Sequence, residues 1–568
     1  MRHKNLGRAL VLITVISLAA AACGDSGGKE ATPTTTAGGA APATTAVTTT
    51  TLAPKTGGSI TMGMYSETAG LDPVVSNGGG TTGATELAAI YDTIMRYDTT
   101  TGKYEPQTAE SLSANADTTE WTLKLKAGVK FSDGTDYDAD AVVYGMKRHV
   151  TFGGRSSSLV SNIKTFTVVD KLTVKFILNA PWGNFPYLLA YMPGMIPSPT
   201  AVKAACGPTD DYKPATCAFT SKPVGAGAFK VDSYRPKESI NLVRNDTYWN
   251  GKPYLDALKF VVLTGAQATY DALQTDTLQV GFLREAAVVK KARDEKKVDG
   301  YLNLVWLGGV LLLNNGKINC KGGLPAASCA GKPDGVISID TITSDRRVRQ
   351  AIGYAIDVNV INDRANEGAS FPGTDFFQKT SKWASAGPTT TFDLAKAKAL
   401  VDQVKAEGKW DGTVRFNCHN APARVAFAQT VSTLLTQAGF KVVLTNSQDV
   451  NALVAQVSNT KAFDVACWGL SLSEEAPDIN LGLTFQSTNP GQSMNIPDLF
   501  DAQVKLVREG KTDAERKAAL DKIQEIWKVE VPSVVYEATP EFIAWQKKVH
   551  GIRPTVSTAM MFDKAWVG

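Results

Sequence analysis

The chain has 568 residues, of which 59 are Lys or Arg and 55 are Asp or Glu. Because 43% of the residues are hydrophobic and 20% are charged, disorder is excluded as a description of the whole chain. Arg2, Lys4 and Arg8 lie in the first 22 residues, and the remaining 56 basic side chains nearly balance the 55 acidic ones. This balance argues against a nucleic-acid partner, since such proteins depend on an excess of positive charge.

The first 22 residues have the pattern of an export signal. A basic start is followed by an apolar run from Ala9 to Ala22, which is too short to cross a membrane comfortably. No second long apolar run follows, which argues against a protein that crosses the membrane several times. We therefore predict that residues 1–22 are a signal peptide.

The exit of this segment, Leu18 to Gly24, resembles a bacterial lipobox, which implies that Cys23 is lipidated. The alternative is an ordinary signal cleaved nearby, with Cys23 lost or free. The segment that follows is almost entirely Gly, Ala, Thr, Pro and Ser and has no apolar periodicity. We predict that residues 23–58 are the lipidated cysteine and a flexible tether.

Six cysteines remain after Cys23. An even number in an exported chain favours disulfides, and zinc is disfavoured because the sequence has no C-x-x-C and no close pair of histidines. The pairs Cys206–Cys217 and Cys320–Cys329 are close in sequence, and each is predicted to close a loop. Cys418 and Cys467 each end an apolar run typical of a strand, so a Cys418–Cys467 bond requires these strands to lie side by side.

The first part of the folded body, from about residue 59 to residue 262, is predicted to be rich in short strands. Apolar and polar residues alternate over 59–65, 121–126 and 172–177, as in half-buried strands. An amphipathic helix with acidic residues in its first turn is expected over 138–149.

In the second part, from about residue 306 to residue 531, helices alternate with strands. Asp345 and Asp393 are each predicted to cap a helix, and Pro422 is predicted to begin another. Such alternation predicts parallel βαβ packing. Strands are expected over 414–416, 441–444 and 463–468, with a last helix over 513–527.

Four strings occur in order along the chain: Phe131-Ser-Asp-Gly-Thr135 with Ala139-Asp-Ala-Val-Val143, then Pro223-Val-Gly-Ala-Gly-Ala-Phe229, Arg244 to Pro253, and Arg347 to Asp357. Together they resemble the signatures of the family 5 extracellular solute-binding proteins, which are the peptide and nickel receptors of ABC importers. The resemblance covers nearly all of the chain from Ser59 to its end.

The resemblance implies an α/β fold of the periplasmic-binding-protein type (class II, cluster C), a two-lobed clamp with an enlarged, strand-rich lobe I. Lobe I is expected over 59–304, lobe II over 305–534, and a C-terminal return to lobe I over 535–568. The hinge is expected where the chain crosses, near Trp306 and Ser533–Tyr536. A clamp suits a receptor because closure expels water and strengthens the polar contacts with the ligand.

The resemblance also implies where a ligand binds. In peptide-binding relatives, a Trp that ends a lobe II strand is followed three residues later by an Asp that pairs with the amino terminus of the peptide. Trp468 matches this Trp, but Ser471 stands at the position of the Asp. The loop is lengthened here, and Glu474 or Glu475 is expected to supply the negative charge, since a carboxylate beside an ammonium group is a strong pair.

Five further residues are candidates for contacts with the ligand. For Tyr65 the alternative is an aromatic residue at the rim, for Glu67 it is a solvated acid, and for Trp306 it is packing at the hinge. The five candidates are Tyr65, Glu67, Trp306, Trp383 and Arg284.

The sequence therefore predicts an extracytoplasmic receptor, held at the outer face of the cell membrane by lipid on Cys23. It is expected to capture a small solute, a peptide or peptide-like molecule, and to deliver it to the permease and ATPase subunits of an ABC transporter. We expect a monomer with no cofactor, metal or nucleic-acid partner. The alternatives are a secreted, surface-anchored hydrolase and an adhesin or chaperone, but the absence of G-x-S-x-G and H-E-x-x-H argues against an enzyme.

Overall fold

The computed structural model describes residues 52–76, 78–152, 157–209, 212–385, 387–420, 422–485 and 500–568. The predicted signal peptide, Cys23 and most of the predicted tether lie outside these residues. The segment Pro54–Gly568 forms one compact unit. Among the described residues, no helix is both long enough and apolar enough to span a bilayer.

Among the described residues, the length of the strands ranges from two residues to 16 residues. They are β1 Ser59–Met64, β2 Met95–Asp98, β3 Lys103–Pro106, β4 Ala109–Ala114, β5 Glu120–Leu125, β6 Ile163–Asp170, β7 Thr173–Leu178, β8 Phe229–Arg235, β9 Ser239–Arg244, β10 Ala257–Val262, β11 Val280–Leu283, β12 Val298–Leu313, β13 Lys317–Cys320, β14 Gly335–Ser338, β15 Phe371–Pro372, β16 Thr413–His419, β17 Lys441–Gln448, β18 Val465–Gly469, β19 Ser533–Gln546, β20 Val549–His550, β21 Arg553–Pro554, β22 Met560–Met561 and β23 Trp566–Val567.

The α-helices pack on the faces and edges of these strands. They are α1 Ala84–Tyr91, α2 Ala139–Phe152, α3 Ser157–Val160, α4 Pro186–Ala190, α5 Pro199–Cys206, α6 Ala266–Gln274, α7 Ala286–Glu295, α8 Ala326–Cys329, α9 Arg346–Ala355, α10 Val358–Ala365, α11 Leu394–Ala406, α12 Pro422–Gln437, α13 Val450–Ala455, α14 Pro477–Phe485, α15 Asp501–Glu509 and α16 Asp513–Glu530.

Local capping explains where several helices begin. Asp345 accepts a hydrogen bond from the backbone N–H of Arg347 at 2.8 Å, and Asp393 accepts one from Lys396 at 3.0 Å. These bonds satisfy N–H groups that have no partner within the helix. The predicted caps of α9 and α11 are therefore confirmed. The last long helix, α16, begins at Asp513, its predicted start, and is preceded by a capping box in which Thr512 is the N-cap.

The large sheet is built around β12 and β19, which pair antiparallel from Val298 opposite Gln546 to Leu312 opposite Ser533. On one side of this pair the order continues β18, β16, β17, and on the other β11, β1, β10, β9, β8. Strand β16 runs parallel to both β17 and β18, so the predicted parallel packing in the second half is confirmed. A separate antiparallel sheet has the order β4, β5, β7, β6.

Distinct apolar clusters cover these sheets. One cluster contains buried residues from Trp306 to Ala538 and surrounds β12, β16 and β18. A second joins the four-stranded sheet to α2, and a third joins β1 to the last strands of the chain. Ala476 and Ile479, which come after β18, pack in the second cluster and not in the first. The segment after β18 therefore connects the two halves of the molecule.

All three predicted disulfides are present. The Cα–Cα distances are 5.3 Å for Cys206–Cys217, 5.5 Å for Cys320–Cys329 and 5.0 Å for Cys418–Cys467. The last bond forms because β16 and β18 are neighbours in register, with Asn417 beside Ala466. The two strands therefore lie side by side, which the sequence analysis required for this disulfide.

A buried ion pair fixes α2 to the segment that follows β1. Arg148 donates two hydrogen bonds to Asp72, at 2.6 Å and 3.0 Å, and the side chains are only 2% and 0% exposed. The Nε–H of Arg148 donates to the hydroxyl of Tyr212 at 2.9 Å. Because both charges are desolvated, each depends on the other for compensation.

Glu86 is a buried carboxyl group without such a partner. It lies in the first turn of α1, is 1% exposed, and its Oε2 atom has no hydrogen-bond partner. Burial raises the pKa of Glu86 to about 8 from an ordinary value near 4.5. In the folded protein this side chain is therefore protonated at neutral pH.

We expect Asp72→Asn to lower the free energy of unfolding by about 3–5 kcal/mol, because it leaves the buried Arg148 charge uncompensated. Urea titration at pH 7 measures the loss. The matched control is Glu110→Gln, which breaks an ion pair with Lys124 whose side chains are 54% and 52% exposed. This control is expected to cost less than about 1 kcal/mol, and equal costs for the two variants would contradict the assignment.

We expect Glu86→Gln to flatten the dependence of stability on pH. Since the folded state holds a proton on Glu86 that the unfolded chain releases above pH 4.5, this group lowers stability as the pH rises toward 8. The amide has no proton to release, so the variant gains stability relative to the parent at pH 8 but not at pH 5. Urea titrations at both values test this, with Glu110→Gln as the control that leaves the difference unchanged.

Candidate ligand-binding site

The carboxyl ends of the parallel strands β16 and β18 lie at one edge of the large sheet. Near these ends the strands are joined by the Cys418–Cys467 disulfide, and Trp468 follows Cys467 directly. Trp468 is half-buried and pairs with Val310 of β12. The sheet and the disulfide together fix the start of the loop that the sequence identified.

The neighbouring part of β12 is bent. The pairing of β12 with β19 changes register between Val305 and Gly309 and again between Gly309 and Val310. A Cβ atom at Gly309 would lie 2.5 Å from the ring of Tyr536, so a larger residue would not fit at this position. The bend thus occurs at the crossing where the sequence placed the hinge.

Trp306 lies at this crossing but is only 3% exposed. Its backbone pairs with Leu472, which is in the loop after Trp468, and its ring lies 6.1 Å from that of Phe377. The indole N–H of Trp306 is buried and has no hydrogen-bond partner. Trp306 is thus a packed residue at the crossing between β12 and the loop after Trp468.

The loop after Trp468 is held on both sides through its backbone. The indole N–H of Trp383 donates to the carbonyl of Glu474 at 2.8 Å. The carbonyl of Glu475 accepts two bonds of 2.9 Å, from the hydroxyl of Tyr104 and from the amide of Asn184. Trp383 is 3% exposed, so its contact with the loop is buried.

The side chain of Glu475 is half-buried and accepts a hydrogen bond from the backbone N–H of Ser557 at 2.9 Å. Burial raises the pKa of Glu475, and the nearby charges of Glu474 and Glu541 act in the same direction. Glu541 accepts a bond of 3.2 Å from the amide of Asn303. We call Glu474, Glu475 and Glu541 the acidic cluster.

Four tyrosines surround the acidic cluster. Burial raises the pKa of each one, and the charge of Glu475 contributes to the increase in every case. Apolar ring faces with polar tips around several carboxylates suit an organic cation, which interacts favourably with both. The four residues are Tyr97, Tyr104, Tyr187 and Tyr301.

Ser471 is exposed, and the first aspartate after Trp468 is Asp478 in α14. Asp478 is fully buried and accepts hydrogen bonds from Trp182 at 2.9 Å and from Asn184 at 3.2 Å. Burial raises the pKa of Asp478. Its oxygens are committed to holding α14 against the strand-rich half, which leaves Glu474 and Glu475 as the remaining acids of the loop.

The candidates from the first part of the chain lie at the end of β1 and β11. Tyr65 is 48% exposed, packs edge-on against Phe282 at 5.5 Å, and has the guanidinium of Arg284 5.9 Å from its ring centre. Leu283, the last residue of β11, pairs with Phe542 of β19, so Arg284 follows β11 at the position where Glu541 precedes Phe542.

Glu67 is bound within the strand-rich half. It accepts hydrogen bonds from the backbone N–H of Lys237 at 2.6 Å and from the hydroxyl of Tyr234 at 3.4 Å. It lines a small cavity together with Glu86, and the mouth of that cavity includes Ser66. Glu67 is therefore neither a simple solvated acid nor a member of the acidic cluster.

Arg424 is a functional candidate that the sequence analysis missed. It lies in the first turn of α12, and its guanidinium donates to the hydroxyl of Tyr536 at 2.8 Å and lies 5.5 Å from the ring of Phe427. Tyr536 and Glu537 raise the pKa of Arg424. The signal was available, since the first turn after the parallel strand β16 lies at the same sheet edge as Trp468.

Among the described residues, no group of three or more His, Cys, Asp or Glu side chains is arranged to hold a metal ion.

Comparisons with known proteins identify the family of the chain. The model of the family "Bacterial extracellular solute-binding proteins, family 5 Middle" matches residues 103–492. The glutathione-binding protein GsiB of Salmonella paratyphi A is 26% identical over 475 residues, which cover 80% of this chain and 85% of that protein.

Solved structures show the same fold. The ABC transporter substrate-binding protein CtaP of Listeria monocytogenes has a TM-score of 0.71 at 20% identity, over 90% of this chain and 100% of that one. The oligopeptide-binding protein AppA of Bacillus subtilis, solved with a nonapeptide, has a TM-score of 0.68 at 19% identity, over 91% and 100%. The chain therefore belongs to the bacterial extracellular solute-binding proteins of family 5, the solute-binding receptors of ABC importers, and has their two-lobed α/β fold.

Proposed function

We propose that this receptor captures peptides or peptide-like solutes by their free amino group. The observation that carries the proposal is the acidic cluster, in which Glu474 and Glu475 of the loop meet Glu541 of β19 beneath a set of tyrosines. A protonated amino group placed there offsets the repulsion among three carboxylates and forms charge-assisted hydrogen bonds.

The opposite charge is available at the same sheet edge. Arg424 follows β16 and is half-buried beside Tyr536, so a carboxylate of the solute has a cationic partner. A peptide carries both charges, and the glutathione named for GsiB and the nonapeptide bound to AppA are peptides. Trp468 supplies a flat apolar wall between these two groups.

The proposed clamp has lobe I over 59–304, lobe II over 305–534 and the C-terminal return over 535–568. Two observations support these bounds: the bend of β12 at Gly309, and the packing of Met560 and Phe562 with Ile60 of β1. The ligand favours the closed form because the acidic cluster combines residues from both sides of the hinge.

We further propose that residues 1–22 are removed on export, that Cys23 carries the lipid, and that residues 24–58 tether the receptor to the outer face of the membrane. Several acyl chains on one residue would hold it stably, since each buried methylene contributes about 0.8 kcal/mol. The receptor then works as a monomer that hands its solute unchanged to the permease, without catalysis.

We expect glutathione and short peptides to bind at least about tenfold more tightly than their N-acetylated counterparts, because acetylation removes the ammonium group. Isothermal titration measures both affinities, and mass spectrometry of the recovered ligand tests that it is not consumed. Glu475→Gln is expected to reduce the tenfold preference, whereas the exposed Glu238→Gln leaves it unchanged. Equal binding of free and acetylated peptides would rule out recognition by the amino group, and turnover of the peptide would favour a hydrolase.

We expect Trp468→Ala to weaken the same binding by at least about 1 kcal/mol, because the ring is the apolar wall of the site. The matched control is Trp410→Ala, a half-buried tryptophan that packs against Phe440 in lobe II. Thermal unfolding of both variants separates loss of binding from loss of stability. If Trp468→Ala bound peptide with the parental affinity, this side chain would have to be removed from the site.

A further inference from the structure

A second cavity lies at the far edge of the same sheet, away from Trp468. Its volume is about 450 Å³, and it opens where β12 ends, beside the start of α9. Since Asn315 is six residues beyond Gly309 and a strand advances about 3.3 Å per residue, this cavity is roughly 20 Å from the bend. The residues that matter for its chemistry are Asn315, Lys317, Arg346, Arg349 and Glu530.

The walls of this cavity are fixed by hydrogen bonds. The hydroxyl of Thr343 donates to the carbonyl of Asn314 at 2.7 Å, and Arg349 donates to the carbonyls of Thr343 and Ser344 at 3.0 Å and 2.9 Å. Gly316 has a φ of +71°, and a Cβ there would lie 2.6 Å from the Cβ of Ser344. The glycine thus allows the end of β12 to abut the start of α9, and the cavity is rigid.

Asn315 lines this cavity with an amide that has no partner. The residue is 6% exposed, and neither its Nδ2 nor its Oδ1 atom makes a hydrogen bond. The side chain of the preceding Asn314, by contrast, donates to the carbonyls of Lys461 and Phe463 at 3.0 Å. A buried amide with both a donor and an acceptor unsatisfied is costly, and a ligand in the cavity that reached it with one acceptor and one donor would relieve this cost.

The cavity is positively charged. Four basic and two acidic side chains line it, the acids being Asp345 and Glu530. Arg349 and Arg346 share Glu530, at 3.2 Å and 3.1 Å, and the side chain of Arg346 is 55% exposed. Lys317 is exposed, and its side chain has no ion pair or hydrogen bond to any residue that the structure describes. The charge that remains available is therefore cationic.

We propose that this cavity binds an oxyanion that carries a hydroxyl group, of which hydrogen phosphate is the simplest. Lys317 and Arg346 neutralise the anion, Nδ2 of Asn315 donates to one of its oxygens, and Oδ1 of Asn315 accepts from its hydroxyl. The site is separate from the acidic cluster and goes beyond the capture of peptides.

Isothermal titration of the purified protein with inorganic phosphate, in a chloride buffer at pH 7, tests the proposal. We expect one phosphate per chain, and sulfate bound at least about tenfold more weakly, because sulfate has no hydroxyl to donate to Asn315. Lys317→Ala is expected to weaken phosphate at least about tenfold, whereas Lys321→Ala, an exposed lysine on the same hairpin, leaves it unchanged. No binding of phosphate, or equal binding of sulfate, would overturn the proposal.

Asn315→Leu provides the second test. Since it removes two unsatisfied buried atoms, we expect the midpoint of thermal unfolding without phosphate to stay level or rise, while phosphate binding is lost. Binding that survives both Asn315→Leu and Lys317→Ala would place the anion elsewhere and also overturn the proposal. Peptide binding at the acidic cluster is expected to be unaffected in every variant, so the two proposals fail independently.

Discussion

The antiparallel pairing of β12 with β19 is the constraint on which the rest of the molecule depends. These two strands are the only ones among the described residues that connect the β16–β18 part of the large sheet to the β1–β10 part. Their hydrogen bonds run through both halves, yet the pairing is interrupted at Gly309, where a side chain would strike Tyr536. In the proposed clamp, this interruption is the point at which the two halves would move relative to each other while each keeps its own core.

Buried carboxyl groups are treated differently in each part of the fold. Asp72 is compensated by a bidentate arginine, and Asp478 by an indole and an amide. Glu86 has an oxygen with no partner and accepts protonation instead. The acidic cluster lies between these extremes, since its carboxylates have some polar partners but also face one another. Charge that the fold leaves incompletely compensated is the usual sign of a place where a ligand completes the interaction.

Much of the fold was predictable because it depends on local signals. Asp345 and Asp393 cap helices through bonds to residues two and three positions away, and alternation over 121–126 reports one buried face of β5. The candidate site was harder to predict, because its residues are brought together by the register of strands that are distant in sequence. The pairing of Leu283 with Phe542, which sets where Arg284 leaves β11 relative to β19, is a register that no local pattern reveals. The burial of Trp306 and Trp383 likewise depends on packing between distant segments.

Because of the Cys418–Cys467 disulfide, the structure next to Trp468 depends on the environment in which the protein folds. It ties β16 to β18 at the residue before Trp468, so the geometry of this sheet edge depends on a disulfide that forms in oxidising compartments. Receptor produced in a reducing compartment would keep its hydrophobic cores but would lack this covalent link between β16 and β18. Affinities measured on such material would then belong to a protein in which the ends of β16 and β18 are less constrained than in the oxidised receptor.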